Sequence, residues 1–228
     1  MPQFTFEYSE DGTIHRILKD GVTYNESVKL EQVFSIPRTY FQLAQKNLDQ
    51  MRPEQTGNER RGLGLQSFLM SLTALEAFTN TFFHLRAQEL KNGQMLNRIE
   101  QKHGSLSRKI AELIAMTPDG PLNDQVALLE RVYEFSELRN EIVHPRWAPS
   151  GLTIKGDVPI VILGIVENRQ ALFEDRQLCL EALYWCLLVV ARIGQVRGDA
   201  DLNGFMFHWT GIYGFSLSKL LKVLGVPE

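Results

Sequence analysis

The chain has 228 residues, which at roughly 150 per domain leaves room for one large domain or one domain with a small appendage, and not for a multidomain assembly. A composition of 44% hydrophobic and 22% charged residues is that of a soluble globular protein and excludes disordered and small disulfide-scaffold classes. The formal charge is only -3, which excludes a broadly basic nucleic-acid surface but leaves open a local basic groove. At the start of the chain Phe4, Phe6 and Tyr8 alternate onto one face, Glu10-Asp11-Gly12 turns the chain, and Ile14 to Leu18 run back as a hairpin. A second turn at Asp20-Gly21 precedes Val22-Thr23-Tyr24, a candidate third strand.

Beyond Glu26 the period becomes helical. Leu30, Val33, Phe34, Tyr40, Phe41, Leu43, Ala44 and Leu48 predict a helix through Met51, with Pro37 as a kink or first-turn break. Arg52 to Asn58 reads as a loop, and a long apolar-periodic helix follows from Glu59 to Leu90. Two shorter helical pieces, Gln94 to Lys102 and Ser105 to Met116, are split at His103-Gly104 and closed by Thr117 to Pro121. A fourth helix runs from Asn123 to His144, because Pro145 disfavours helix in the residue before it. Leu152-Thr153-Ile154 and the β-branched run from Pro159 to Val166 predict a second short hairpin across Gly156-Asp157. Helix five spans Arg169 to Gln195, and the tail from Phe205 mixes aromatics and glycines with one helical piece, Ser216 to Leu224.

The expected fold is mainly α, an antiparallel helical bundle of four to five helices. An N-terminal β-hairpin appendage occupies residues 1–25, and a helical domain covers 26–228 with a β insertion near 151–166. No internal repeat or heptad run is visible, so a solenoid or coiled coil is not expected. Cys179 and Cys186 fall on one helix about 10 Å apart, too far to bridge, and read as core thiols. The N-terminal MPQFTFEYSE has acids and no apolar run, unlike a secretory signal or transit peptide. The apolar stretch from Leu178 to Ile193 is interrupted by Glu181 and reads as a buried helix that falls short of a membrane span. A cytoplasmic protein with no membrane partner is expected.

Several enzyme signatures are absent. The sequence contains no G-x-x-x-x-G-K-[ST], G-x-S-x-G, H-E-x-x-H or C-x-x-C, so P-loop, α/β-hydrolase, zincin and thioredoxin chemistry have no support. Arg61-Gly62-Leu63-Gly64 resembles half of a phosphate loop but lacks the preceding strand and third glycine, and reads better as helix-start packing. His15, His84, His103 and His208 have no second ligand at a metal-binding spacing, so neither a metal nor a cofactor is expected.

The fourth helix carries an anomaly. At 100° per residue with Leu128 at zero, Val132 falls at about 40°, Phe135 at about 340°, Ile142 at about 320° and Val143 at about 60°. Arg139 falls at about 20°, inside that apolar stripe. A guanidinium there requires a carboxylate, a ligand or an interface, because an unpaired buried charge is strongly unfavourable. On the long second helix the same arithmetic puts Glu76 at about 20° in a stripe built from Leu65, Leu69, Leu72 and Phe83. Thr79 and Asn80 lie on the same side. A Glu76–Arg139 pair that fixes helix packing is one reading; a functional site is the other.

Residue chemistry favours the second. Asn140 and His144 are one helical turn apart beside Arg139, and His144 sits at a helix C-terminus, which favours its protonated form. An Arg to hold a phosphate, a His to move a proton and an Asn to orient one of them are sufficient to cut RNA without metal, through attack of the ribose 2′-hydroxyl on phosphorus. Arg146 and Trp147 are candidates for a further phosphate contact and a stacking surface.

The segment Glu137-Leu-Arg139-Asn140-Glu-Ile-Val-His144-Pro145 resembles the signature of the HEPN superfamily, an Arg followed by a polar residue and, after a short spacer, a His at a helix end. Ser71 to Asn80 is similar to the acidic helix that often precedes it. The resemblance implies an all-α bundle that forms a two-fold homodimer and acts as a metal-independent endoribonuclease, in toxin, abortive-infection or antiviral-defence roles. It makes Arg139 the phosphate ligand, Asn140 its support, His144 the acid/base group and Glu76, with Asn80, the orienting partner. The implied partners are an RNA substrate, a second copy of the chain and an antitoxin or other protein. The alternative is a non-catalytic module that uses the same groups to bind a nucleotide, RNA or a protein.

Overall fold

A computed structural model describes residues 4–8, 14–25, 36–89, 105–115, 122–143, 171–198 and 201–226. The chain divides into two compact units, residues 1–34 and 35–228. The first is a three-stranded antiparallel sheet of β1 (Phe4–Tyr8), β2 (Ile14–Lys19) and β3 (Val22–Thr23), in that order. Phe4 pairs with Lys19 and Phe6 with Ile17, and the register shifts between Glu7 and Tyr8. Asp20 and Gly21 both take positive φ, 53° and 81°, so this two-residue turn matches the twist of the strands it joins. The third strand suggested by Val22 to Tyr24 therefore forms, though only two residues long. The Glu10 to Gly12 turn lies outside the described residues.

The second unit is a helical bundle, with seven α-helices among the described residues. They are α1 (Ile36–Gln50), α2 (Gly57–Glu89), α3 (Leu106–Ala115), α4 (Gln125–Val143), α5 (Arg176–Arg197), α6 (Leu202–Thr210) and α7 (Leu217–Leu224). Pro37 occupies the first turn of α1, where its missing N–H breaks no helical bond. The α2 helix starts two residues before the sequence expectation because Thr56 and Glu59 form a capping box. The Thr56 N–H donates to the Glu59 carboxylate at 3.0 Å, and the Glu59 N–H donates to Thr56 Oγ1 at 3.4 Å. Of the two glycines read from the sequence as helix-start packing, Gly64 packs closely, since a Cβ there would collide with the Phe173 carbonyl, whereas one on Gly62 would meet nothing.

Helix α2 runs for 33 residues through the middle of the bundle. Its deepest face carries Gly64, Phe68, Ser71, Leu75, Phe78 and Phe82, and Ser67 Oγ ties it to α1 by donating to the Ala44 carbonyl at 2.9 Å. The stripe chosen from the sequence is the adjoining one, since Leu72 and Phe83 are buried but Leu65, Leu69 and Glu76 are half-buried. A helix covered on two sides is apolar over most of its circumference, so periodicity alone does not select the deepest line. On α4 the stripe holds for Leu128, Val132 and Phe135 and then opens, leaving Ile142 half-buried and Val143 46% exposed.

Helix α5 is the apolar axis. It begins at Arg176 and not Arg169, because a 3-10 turn at Ala171–Glu174 intervenes and Asp175 caps the helix by accepting from the Gln177 N–H at 2.8 Å. At its other end Gly198 takes φ 79° as the left-handed cap. Its 22 residues have the length and hydropathy of a membrane span, but 72% of its most apolar window is buried in the bundle. It is therefore the bundle's core helix.

The tail contains a helix that the sequence reading missed. Asp201 caps α6 by accepting from the Gly204 N–H at 2.9 Å, and Phe205 and Trp209 on that helix pack edge-on against Phe78 and Phe82 of α2. The segments expected as a helix at 94–102 and a hairpin near 151–166 lie outside the described residues.

Candidate active site

The two charges singled out by the helix angles meet. Arg139 Nη1 donates to Glu76 Oε2 at 3.0 Å, joining α4 to α2. The pair is marginal, not central: the Arg139 side chain is 29% exposed and that of Glu76 37%. Arg139 therefore lies where the apolar stripe of α4 opens to solvent, and the interior charge expected from the angles becomes a charge at the rim. Asn140, next along α4, is exposed.

Asn80, one turn beyond Glu76 on α2, makes a contact that angles on single helices do not reveal. Its Oδ1 accepts from Lys109 Nζ of α3 at 2.9 Å. Glu76 and Asn80 thus form a polar strip on α2 that receives one cation from α4 and another from α3. Lys109 was missed at the sequence level because its partner lies 29 positions away. Its place beside Ile110 in a strongly amphipathic helix was the available signal.

A second interhelical arginine shows what a closed pair looks like in this bundle. Arg192 of α5 donates from Nε to Asp124 Oδ2 at 2.9 Å, approaches the same oxygen with Nη2 at 2.7 Å, and donates from Nη1 to Gln195 Oε1 at 2.8 Å. The Arg192 and Asp124 side chains are only 13% and 11% exposed. All three guanidinium nitrogens are engaged. Among the described residues Arg139 engages one, Nη1, and the fork of its guanidinium retains donors for a further acceptor.

The remaining chemistry of the bundle is inert. Cys179 and Cys186 are free and buried, as expected. Burial, and secondarily the Asp175 carboxylate, push the Cys179 thiol up to about 12, and burial raises Cys186 further, so neither presents a thiolate near neutral pH. Two open grooves, of about 720 and 480 Å³, run beside the α1–α2 loop and between α1 and the Gly211-Ile212 turn, and neither is lined by Glu76 or Arg139. No group of His, Cys, Asp and Glu able to hold a metal occurs among the described residues. His144, Arg146 and Trp147 lie outside the described residues. The structure therefore brings Arg139 to Glu76 and Lys109 to Asn80, and leaves Asn140 on the open side of α4. No family model matches the chain, and neither does a curated protein or a solved structure.

Proposed function

We propose that the chain is a metal-independent endoribonuclease of HEPN type, cytoplasmic, with its site formed by Arg139, Asn140 and His144 from two copies of the chain. The observation that carries the reading is the guanidinium of Arg139, held by one nitrogen against Glu76 and left open on the others. Arg192, the nearly buried arginine that joins α5 to Asp124, is by contrast engaged on every nitrogen. Orientation by a carboxylate with donors to spare is what a phosphate ligand needs.

In the proposed reaction the ribose 2′-hydroxyl gives its proton to one His144 imidazole and bonds to the adjacent phosphorus. The bond from phosphorus to the 5′-oxygen breaks, and that oxygen takes a proton from the second imidazole. The products are a 2′,3′-cyclic phosphate and a free 5′-hydroxyl. Arg139 neutralises the charge that develops on the non-bridging oxygens, and Asn140 holds the geometry. A two-fold arrangement along α4 supplies both imidazoles, and Val126 and Tyr133, exposed by 70% and 51%, lie within about 20° of each other on the side of that helix away from the core stripe, where a partner copy can pack. The role is that of a toxin or defence nuclease, with an antitoxin as a further protein partner.

Purified protein with transfer RNA or total RNA in EDTA should cleave, and the Arg139→Ala and His144→Ala variants should not. Cleavage that survives both substitutions overturns the assignment. The net charge of -3 favours one second reading, a module that binds RNA or a nucleotide without turnover. Ligand binding lost on Arg139→Ala, with no cleavage by the unaltered chain, selects it.

A further inference from the structure

We propose that Lys109 is a second phosphate ligand, holding the phosphate next to the one at Arg139 and so setting the path of single-stranded RNA along α2. The proposal rests on the RNA reading above but not on turnover. Its basis is the strip formed by Glu76 and Asn80. These residues are one turn apart, about 6 Å along the helix axis. One receives Arg139 from α4 and the other receives Lys109 from α3, so two cations stand side by side over a single face of α2. The spacing of the two acceptors that hold them is of the order of the distance between successive phosphates on a strand.

The charge balance of the strip is what turns packing into a binding surface. Two cations meet one carboxylate, Glu76, because Lys109 is seated on a neutral amide. The nearby acid of α3, Glu112, is engaged by Arg108 Nε at 3.3 Å. An amide acceptor at 2.9 Å orients the ammonium without neutralising it and uses one of its three N–H bonds. Lys109 and Asn80 are both half-buried, so the pair is in part open to solvent. A lysine acting as a point charge suits a flanking phosphate, which must be held but not reshaped, whereas the forked guanidinium suits the reacting one.

The test uses the full chain and a short single-stranded RNA carrying 2′-O-methyl groups, which binds but cannot react. Lys109→Gln is the informative variant, because its amide can still hydrogen-bond to Asn80 and the interhelical contact survives. The thermal midpoint should be unchanged, the dissociation constant should rise about tenfold, and the slope of log affinity against log salt should fall by about 0.7, the value for one phosphate contact on a single strand. Lys109→Arg should restore the slope. On cleavable RNA, Lys109→Gln should raise KM and leave kcat nearly unchanged, whereas Arg139→Ala removes kcat.

Replacing the phosphate that flanks the cleavage position with a neutral methylphosphonate should make the unaltered chain and Lys109→Gln equal in affinity. For a non-cleaving chain, the same equality is sought by scanning the methylphosphonate along the oligonucleotide. An unchanged salt slope in a folded Lys109→Gln variant overturns the proposal even if the chain cleaves RNA. A lysine-dependent slope in a chain that never cleaves upholds it while ending the nuclease reading. No binding of the methylated RNA by the unaltered chain overturns both.

Discussion

The two ends of α4 are each tied to a neighbouring helix by an arginine and a carboxylate, and the two ties are built differently. At the start of the helix Asp124 receives Arg192 from α5, with both side chains nearly buried and every guanidinium nitrogen engaged. Near its end Arg139 reaches Glu76 with one nitrogen, and about a third of each side chain remains exposed. The first tie is rooted in a helix with thirteen buried residues; the second stands on α4, which buries only three, none of them beyond Phe135. Similar residue types thus serve opposite ends. A saturated ion pair resists change because removing one partner strands a buried charge, whereas an unsaturated one at the rim holds little stability and keeps its donors for a ligand.

That contrast can be broken by substitution. Arg192→Ala should have the largest effect, destabilising the bundle by about 3 kcal/mol in denaturant unfolding because Asp124 is left buried and unpaired. A loss below about 1 kcal/mol would remove the distinction between the two ties. The α5 side should also respond to alkali. Cys179 and Cys186 have folded-state pKa values raised above the ordinary value of 9.0, so the stability they contribute is complete below pH 9 and is lost as pH rises through the folded values, about 12 for Cys179. Unfolding titrations should show a decline on the order of 1 kcal/mol per thiol per pH unit above pH 9, and a disulfide reagent at pH 8 should modify neither thiol until the chain unfolds.

At the other end, a double-mutant cycle over Glu76→Ala and Arg139→Ala should give a coupling of about 0.5–1 kcal/mol that shrinks as salt is added, since solvent screens both groups. A salt-independent coupling of several kcal/mol would make this pair structural like its counterpart. Tyr133→Ser, on the exposed side of α4, should change unfolding stability by no more than about 0.5 kcal/mol. In sedimentation the same variant should shift a dimer toward monomer; a variant that stays dimeric removes α4 from the interface.

The sequence made the Glu76–Arg139 contact legible because a charge placed in an apolar stripe demands a partner, and α2 and α4 each offered one of opposite sign. The start of α2 was placed two residues late because Thr56, which forms the capping box with Glu59, was read as part of the preceding loop. What escaped has physical causes. Helix α6 was hidden because it is only nine residues long and Phe207 interrupts the exposed side formed by Asn203, Gly204 and His208. The deepest line of α2 was misplaced by one stripe because the helix is covered on two sides. The Lys109 contact escaped because its partner Asn80 lies on another helix, and periodicity along one helix does not encode which neighbour it meets.

Measuring RNA cleavage in EDTA and thermal stability on the same preparations of the unaltered chain, Arg139→Ala and Arg192→Ala tests most directly whether Arg139 is a ligand and not a strut. Arg139→Ala should lose cleavage by about a hundred- to a thousandfold while unfolding near the temperature of the unaltered chain, and Arg192→Ala should unfold several degrees lower. An Arg139→Ala variant that cleaves as well as the unaltered chain but loses stability as Arg192→Ala does would contradict the functional assignment of the site.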